Sequence, residues 1–376
     1  MAMKNKFDKE RLLLGVSGPV IALLTAVVLT SIVLLASGKS PIEPYSIMFE
    51  QATFSDVQVL IINQAGMYYL AALAVAIGFR MNLFNIGVDG QYRLAAVVAA
   101  IVGAKVALPG FAQIPLLIVV AMLTGAMWAG IAGILKVTRG VSEVVSTIML
   151  NSIASSVIGY LYLPEIFGVQ VGNNKTTGVM HESGWFPGIN MGEGVGEIYG
   201  FVVIAALLGV AYWFVLNRTR FGFDLRATGA SESAAAASGV DAKRMVLTAM
   251  LVSGALAGLA GLPLLLGDTH TYSLTFPTTI GFQGITIALL GRNSPVGIAF
   301  AALLISWLEK ASQELDLRGY DKEIAVIMQG IITIAVVVSY EAVRVWGQRR
   351  QQRRVGIELA AAAGENTSEL KKEVAA

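Results

Sequence analysis

Seven separate stretches of this chain are apolar over about the 20 residues that a helix needs to cross a lipid bilayer. They run over roughly Pro19–Ser37, Val57–Phe79, Ile114–Leu135, Val141–Leu163, Ile198–Leu216, Met245–Leu266 and Ile324–Val345. Inside hydrocarbon each backbone polar group must be satisfied within the protein, so such stretches fold as helices. Leu94–Leu108 is shorter, and it gains length if the Gly-bearing run before it enters the membrane. Thr278–Leu290 and Pro295–Leu308 are also short and flank the polar turn Gly291-Arg292-Asn293-Ser294. They read either as two compact spans or as a hairpin that enters and leaves from one side. The expected fold is an all-α polytopic membrane protein of about ten transmembrane helices, with eight plus a re-entrant pair as the alternative.

Composition supports a bilayer environment. Charged residues make up 14% of the 376, against about 25% in a soluble domain, too few to cover a water-facing surface. The net charge of +2 gives no basic field for nucleic acid, and no nucleic-acid partner is expected. With 0 Cys there is no disulfide framework and no thiolate site, and 2 His are too few for a His-based metal cage. Neither a metal nor another cofactor is expected.

Lys4, Lys6, Lys9 and Arg11 precede the first apolar run, as in a signal peptide. That run exceeds the usual signal core of about 7–15 residues, so it reads as a retained helix. With the N-terminus inside and the spans alternating, 19 Lys and Arg fall in inside segments and 6 in outside ones. This bias places both termini in the cytoplasm and both His residues outside. The expected organisation is a cytoplasmic segment 1–18, a transmembrane domain 19–346, and a tail 347–376 that begins basic, binds the lipid surface and ends disordered. Within the domain, about 164–197 is an external loop and about 217–244 a cytoplasmic segment.

Four features carry candidate chemistry. The run Phe84-Asn85-Ile86-Gly87-Val88-Asp89-Gly90-Gln91 is either a plain cytoplasmic turn or a break that lines a transport path. A second interrupted stretch, Thr279-Ile280-Gly281-Phe282-Gln283-Gly284-Ile285-Thr286, suggests paired Gly-interrupted segments around a substrate site. Asn151 lies near the middle of its span and Asn63 and Gln64 nearer the outer side of theirs, as helix–helix glue or as cavity groups. Glu143, close to Lys136 and Arg139, is expected to pair at the cytoplasmic face rather than carry protons. The fourth feature lies between two spans, where Ser231 is a plausible N-cap, Ala234–Ala237 a strong helix former and Gly239 a plausible C′ residue. A short helix there, bracketed by Gly229 and Gly239, suits a groove on a partner protein. Arg226 upstream is placed to reach an acidic group on that partner.

A phosphate-binding loop is missing. The only Gly-Lys-Ser is Gly38-Lys39-Ser40, and the motif would need Gly where Val33 stands. The chain is therefore read as non-enzymatic.

Together these runs resemble the permease subunits of bacterial ABC importers in the branched-chain amino acid and simple-sugar permease superfamily. Phe84–Gln91 is similar to that family's FNIGxxGQ run, and Val141–Asn151 to its "vsEvvstimlN" segment. Gly222–Val240 resembles its RAxGxxxxAAxxxG coupling segment, with Arg226, Gly229, Ala235, Ala236 and Gly239 in place. Phe282–Pro295 resembles its "GIxxALLGrnsP" segment. The likeness runs from about residue 57 to residue 346 and is greatest to the nucleoside-type branch. Thr286 departs by standing where a small apolar residue is usual, and the basic tail is an extension.

The resemblance implies an import permease in the bacterial cytoplasmic membrane, working with a second permease subunit, ABC ATP-binding subunits and an extracellular or periplasmic substrate-binding protein. The helix around Ser231 would couple to the ATPase, and Asn85, Asp89, Gln91, Asn151, Phe282 and Gln283 would line or border the path. Nucleosides are the expected solute. Simple sugars would use much the same residue types, and a branched-chain amino acid would need a charged pair that is not evident. An ion-coupled secondary transporter would need a mid-membrane ionisable relay, for which Asp89 and Glu143 are the only acidic candidates.

Overall fold

The computed structural model describes residues 21 and 24–320 and scattered positions from 326 to 352. The segment 1–18, nearly all of the tail 347–376 and part of the expected span Ile324–Val345 lie outside the described residues. The chain divides into two units, one of residues 1–44 with 320–376 and one of residues 45–319. In the first, α1 (Leu24–Ala36) is a short apolar helix, and the Tyr320 hydroxyl donates to Glu43 Oε2 at 2.7 Å. A second helix, α2 (Glu43–Gln51), starts at its end.

The larger unit is built from α3 (Ser55–Arg80), α4 (Val88–Lys105), α5 (Gly110–Arg139), α6 (Glu143–Leu161) and α7 (Phe201–Arg218). Next come α8 (Arg220–Ala230), α9 (Glu232–Ala237) and α10 (Ala242–Leu259). The run from α10 continues through α11 (Leu262–Leu264) and a π-helical turn, Leu265–Thr269, and is followed by α12 (Ile280–Leu290), α13 (Pro295–Ala311) and α14 (Gln313–Leu317). Among the described residues six helices are long and apolar enough to cross a membrane. Their burial separates two roles. The apolar window of α3 is 83% buried, so α3 is enclosed by its neighbours, whereas those of α5, α6 and α7 are 28% buried. A helix that is apolar all round yet mostly uncovered needs lipid as its other partner.

Three expected boundaries move. The span expected at Leu94–Leu108 starts at Val88, because Val88–Gln91 is already helical and only Met81–Gly87 is irregular. In the second interrupted stretch, Gly281 and Gly284 lie inside α12, and the irregular backbone precedes them. With 11 residues α12 is about 16 Å long, half of a hydrocarbon core. Near its expected end the Met245–Leu266 span loses regularity at Ala260 and Gly261, just before Pro263, which has no backbone N–H to continue the ladder.

Close packing of α5 on α10 was not anticipated. A Cβ on Gly125 would stand 2.2 Å from the Gly254 carbonyl oxygen, and one on Gly258 would stand 2.1 Å from that of Ala121. Gly254 and Gly258 sit four residues apart, the spacing by which small residues let membrane helices approach closely.

The segment 164–200 forms two short antiparallel hairpins, β1 (Val169–Val171) with β2 (Asn174–Thr176) and β3 (Ile189–Asn190) with β4 (Glu197–Ile198). It is pinned at its centre by Trp185, whose ring stacks on His270 at 4.0 Å and 8°.

Candidate functional site

Two places collect the residues singled out by sequence. The first is the break between α3 and α4. Here the Asn85 amide uses its full hydrogen-bonding capacity. Its Nδ2 donates to Gln91 Oε1 (3.0 Å) and to Ser253 Oγ (2.9 Å), and its Oδ1 accepts from Gln91 Nε2 (2.9 Å) and the Gly87 N–H (3.1 Å). Ser253 Oγ in turn donates to the Ala74 carbonyl at 2.7 Å. The sequence reading passed over Ser253, although one of only two hydroxyls in the apolar run 245–266 was a legible signal.

From the other side α6 holds the same backbone. Asn151 Oδ1 accepts from the Gly90 N–H at 2.8 Å, and its Nδ2 donates to the Ile86 carbonyl at 3.0 Å. Glu143 Oε1 accepts from the Phe84 N–H at 3.4 Å while Oε2 pairs with Lys136 at 2.6 Å, the pairing expected of it. Asn63, by contrast, binds the loop after β4: Nδ2 donates to the Glu197 carbonyl and Oδ1 accepts from the Tyr199 N–H, both at 2.8 Å.

The two Gly-bearing stretches meet. A Cβ on Gly281 would stand 2.3 Å from the Asp89 nitrogen, so only glycine lets α12 start against α4. The Tyr92 hydroxyl adds a second tie by donating to the Pro277 carbonyl at 2.7 Å. Asp89 is buried and lies 3.6 Å from Arg93, and its Oδ1 meets no donor at hydrogen-bond geometry. Asn85, Asp89, Gln91 and Asn151 thus belong to one cluster, in which the three amides are hydrogen-bonded inside the protein and the Asp89 carboxylate is paired with Arg93. The outward-facing members are aromatic: Phe84 is 45% and Phe282 47% exposed, and Gln283 beside it is half-buried.

The second place is the segment between α7 and α10. Three side chains cap three helices in succession. Thr219 Oγ1 accepts from Gly222 N, Ser231 Oγ from Ala234 N and Asp241 Oδ1 from Arg244 N, at 3.3, 3.3 and 3.1 Å. At the far end of α9, Val240 N bonds to the Ala235 carbonyl and Gly239 N to that of Ala236, with Gly239 at φ +85°. That is a glycine-terminated helix end in the form expected. Three expectations change. Gly229 does not bracket α9; it lies inside α8, where a Cβ would stand 2.7 Å from the Arg80 carbonyl oxygen. Arg226 is engaged within the chain, donating to the Leu216 carbonyl at the end of α7, where a cation meets the exposed carbonyls. Ala235 is buried against the chain itself, whereas Ser233, Ala234, Ala236 and Ala237 are exposed. The exposed Phe223 on α8 was also missed.

Comparison with known proteins agrees with this architecture. Residues 58–337 match the family described as branched-chain amino acid transport system / permease component. The guanosine ABC transporter permease of Bacillus subtilis is 34% identical, over 89% of this chain and 96% of its own. A nucleoside ABC transporter permease of Lactococcus lactis is 32% identical, over 86% and 90%. A glucose ABC transporter permease of Haloferax volcanii is 29% identical, over 85% and 87%. No solved structure matches.

Proposed function

Since the chain belongs to the family of branched-chain amino acid transport system permease components, we propose that it forms the membrane path of an ATP-driven nucleoside importer. Its role as a permease in a multi-pass membrane protein follows from the family; the solute is the further step. The observation that carries it is the likeness over almost the whole chain to relatives named for guanosine and nucleosides, at 34% and 32% identity. The geometry supports it. Two aromatic rings, Phe84 and Phe282, project from the two segments that meet at Asp89 and Gly281, and stacking on such faces suits a planar base. Gln283 supplies an amide for a base edge, while Asn85, Gln91 and Asn151 fix the backbone that carries Phe84.

In this reading ATP is hydrolysed by a separate ATP-binding subunit that docks on the exposed face of α9. A second permease subunit completes the path, and an extracellular or periplasmic binding protein delivers the solute. A sugar is the second reading, favoured by the likeness to the glucose permease. Uptake of radiolabelled uridine, adenosine, ribose and leucine by a deletion strain complemented with this chain separates them. Restored uridine and adenosine uptake is expected; restored ribose uptake alone would assign the path to sugars.

A further inference from the structure

One apolar groove among the described residues shares no lining residue with the cluster at Asn85. It has a volume of about 680 Å³ and lies between α3, α7 and α13. Its floor is made of small residues, Ala65, Gly66, Ala205 and Gly209, and its rims of large apolar ones that no described residue covers. Val296 is 66%, Phe300 69% and Val210 63% exposed.

Three observations specify what fills it. The groove is apolar and opens on the side of a bundle whose α7 is mostly uncovered, so its occupant comes from the bilayer. On α7 it runs from Val202 to Trp213, about 16 Å at the helical rise, which is about half of a hydrocarbon core and so the depth of one leaflet. Its two ends differ in charge. At one end the Arg218 guanidinium lies 5.7 Å from the centre of the Trp213 ring, and that ring also lines the groove. Toward the other, the exposed Asp56 stands six residues before Ile62 on α3, and the backbone of the exposed Glu197 is tied to Asn63, the neighbour of Ile62. An anionic headgroup is attracted to the first end and repelled by the second.

We propose that this groove holds one acyl chain of an anionic glycerophospholipid, with the lipid phosphate at Arg218 and the chain laid over Ala205 and Gly209. The lipid then completes the packing of α7 on α3 and α13, and the permease becomes sensitive to the anionic lipid content of its membrane.

The probe is dioleoyl phosphatidylglycerol added to the full-length complex in detergent and followed by native mass spectrometry. The paired change Ala206→Phe and Ala299→Phe fills the groove from its open side and is expected to lower retained phosphatidylglycerol about tenfold. Arg218→Ala is expected to abolish the preference for phosphatidylglycerol over dioleoyl phosphatidylcholine while retaining chain binding. The chain has 0 Cys, so Val210→Cys reports the groove directly. Its maleimide labelling should slow about tenfold when phosphatidylglycerol is added. Unchanged lipid retention in the filled variant would overturn the proposal. So would a Val210→Cys position that cross-links to a second copy, or one that stays blocked after lipid removal and is therefore covered by protein.

Discussion

The side-chain amides of Asn85, in the irregular run before α4, and Gln91, in its first turn, face each other and exchange two hydrogen bonds, at 3.0 and 2.9 Å. Both residues are 1% exposed. Two amides closed on each other brace the chain break between α3 and α4. Gln91→Leu should leave the Asn85 amide partly unpaired in a buried place, at a cost of about 1–3 kcal/mol. The measurement is thermal unfolding of the purified chain, where a lowered midpoint is expected. Gln283→Ala should leave the midpoint in place and reduce nucleoside uptake. An unchanged midpoint in Gln91→Leu would deny the amide pair its bracing role.

Much of this site was legible in the sequence, because polar and glycine residues stand out against apolar spans. Asn85, Gln91 and Asn151 were singled out that way, and the structure joins them. What sequence could not supply was direction. Asn151 was equally compatible with a cavity and with a neighbouring backbone, and the Ile86 carbonyl and Gly90 N–H became its partners only once α6 lay beside the break. Gly281 and Gly284 looked like interruptions, since glycine serves both turns and close helix contacts and the sequence does not say which. The glycines that pack α5 on α10 escaped notice for a similar reason: Gly254 and Gly258 sit in an apolar run that reads simply as a span. Arg226 was assigned to a partner because its target, a carbonyl at the end of α7, has no side-chain signature.

Orientation rests on the distribution of Lys and Arg, and two exposed positions test it. With 0 Cys in the chain, a single introduced Cys gives an unambiguous signal. Glu193→Cys, in the turn between β3 and β4, should react with an impermeant maleimide applied to intact cells. Ser233→Cys, on α9, should react only after the membrane is opened. The reverse pattern would invert the topology and put α9 on the side without ATP.

Acid should loosen the segment 164–200. His270 lies outside the spans, and burial pushes its imidazole below the ordinary value, with Asp268 pulling the other way. A His whose folded pKa is lowered favours the neutral form, so docking is complete above its ordinary range of about 6.5 and weakens as pH falls below it. Protonation would force a charge between the Trp185 ring and the protein. The protection against hydrogen exchange of the Met180 amide, whose N–H donates to the His270 carbonyl at 2.8 Å, should fall between about pH 7 and pH 5 once the slower chemical rate at acid pH is divided out. His270→Gln should remove that acid-dependent step, and its survival in the variant would point to another group.

The coupling assignment to α9 depends on which side of a six-residue helix faces out. Ala235 is 3% exposed and packs inward, so Ala235→Trp overfills the chain's own interior at about 1–3 kcal/mol or more. Ala236, one residue on, is exposed and carries no such burden. Ala236→Trp should therefore leave the unfolding midpoint of the permease unchanged while pushing away any partner that approaches the small-residue surface of Ser233, Ala234 and Ala237. Charge contributes little here, since an exposed ion pair is worth only about 0–1 kcal/mol. The experiment is co-purification of the ATP-binding subunit together with solute-stimulated ATP hydrolysis. Ala236→Trp is expected to lose both with its fold intact, and Ala235→Trp to lose them along with stability. Full co-purification and full transport in Ala236→Trp would show that the exposed face of α9 meets no partner, and that the ATPase is engaged elsewhere.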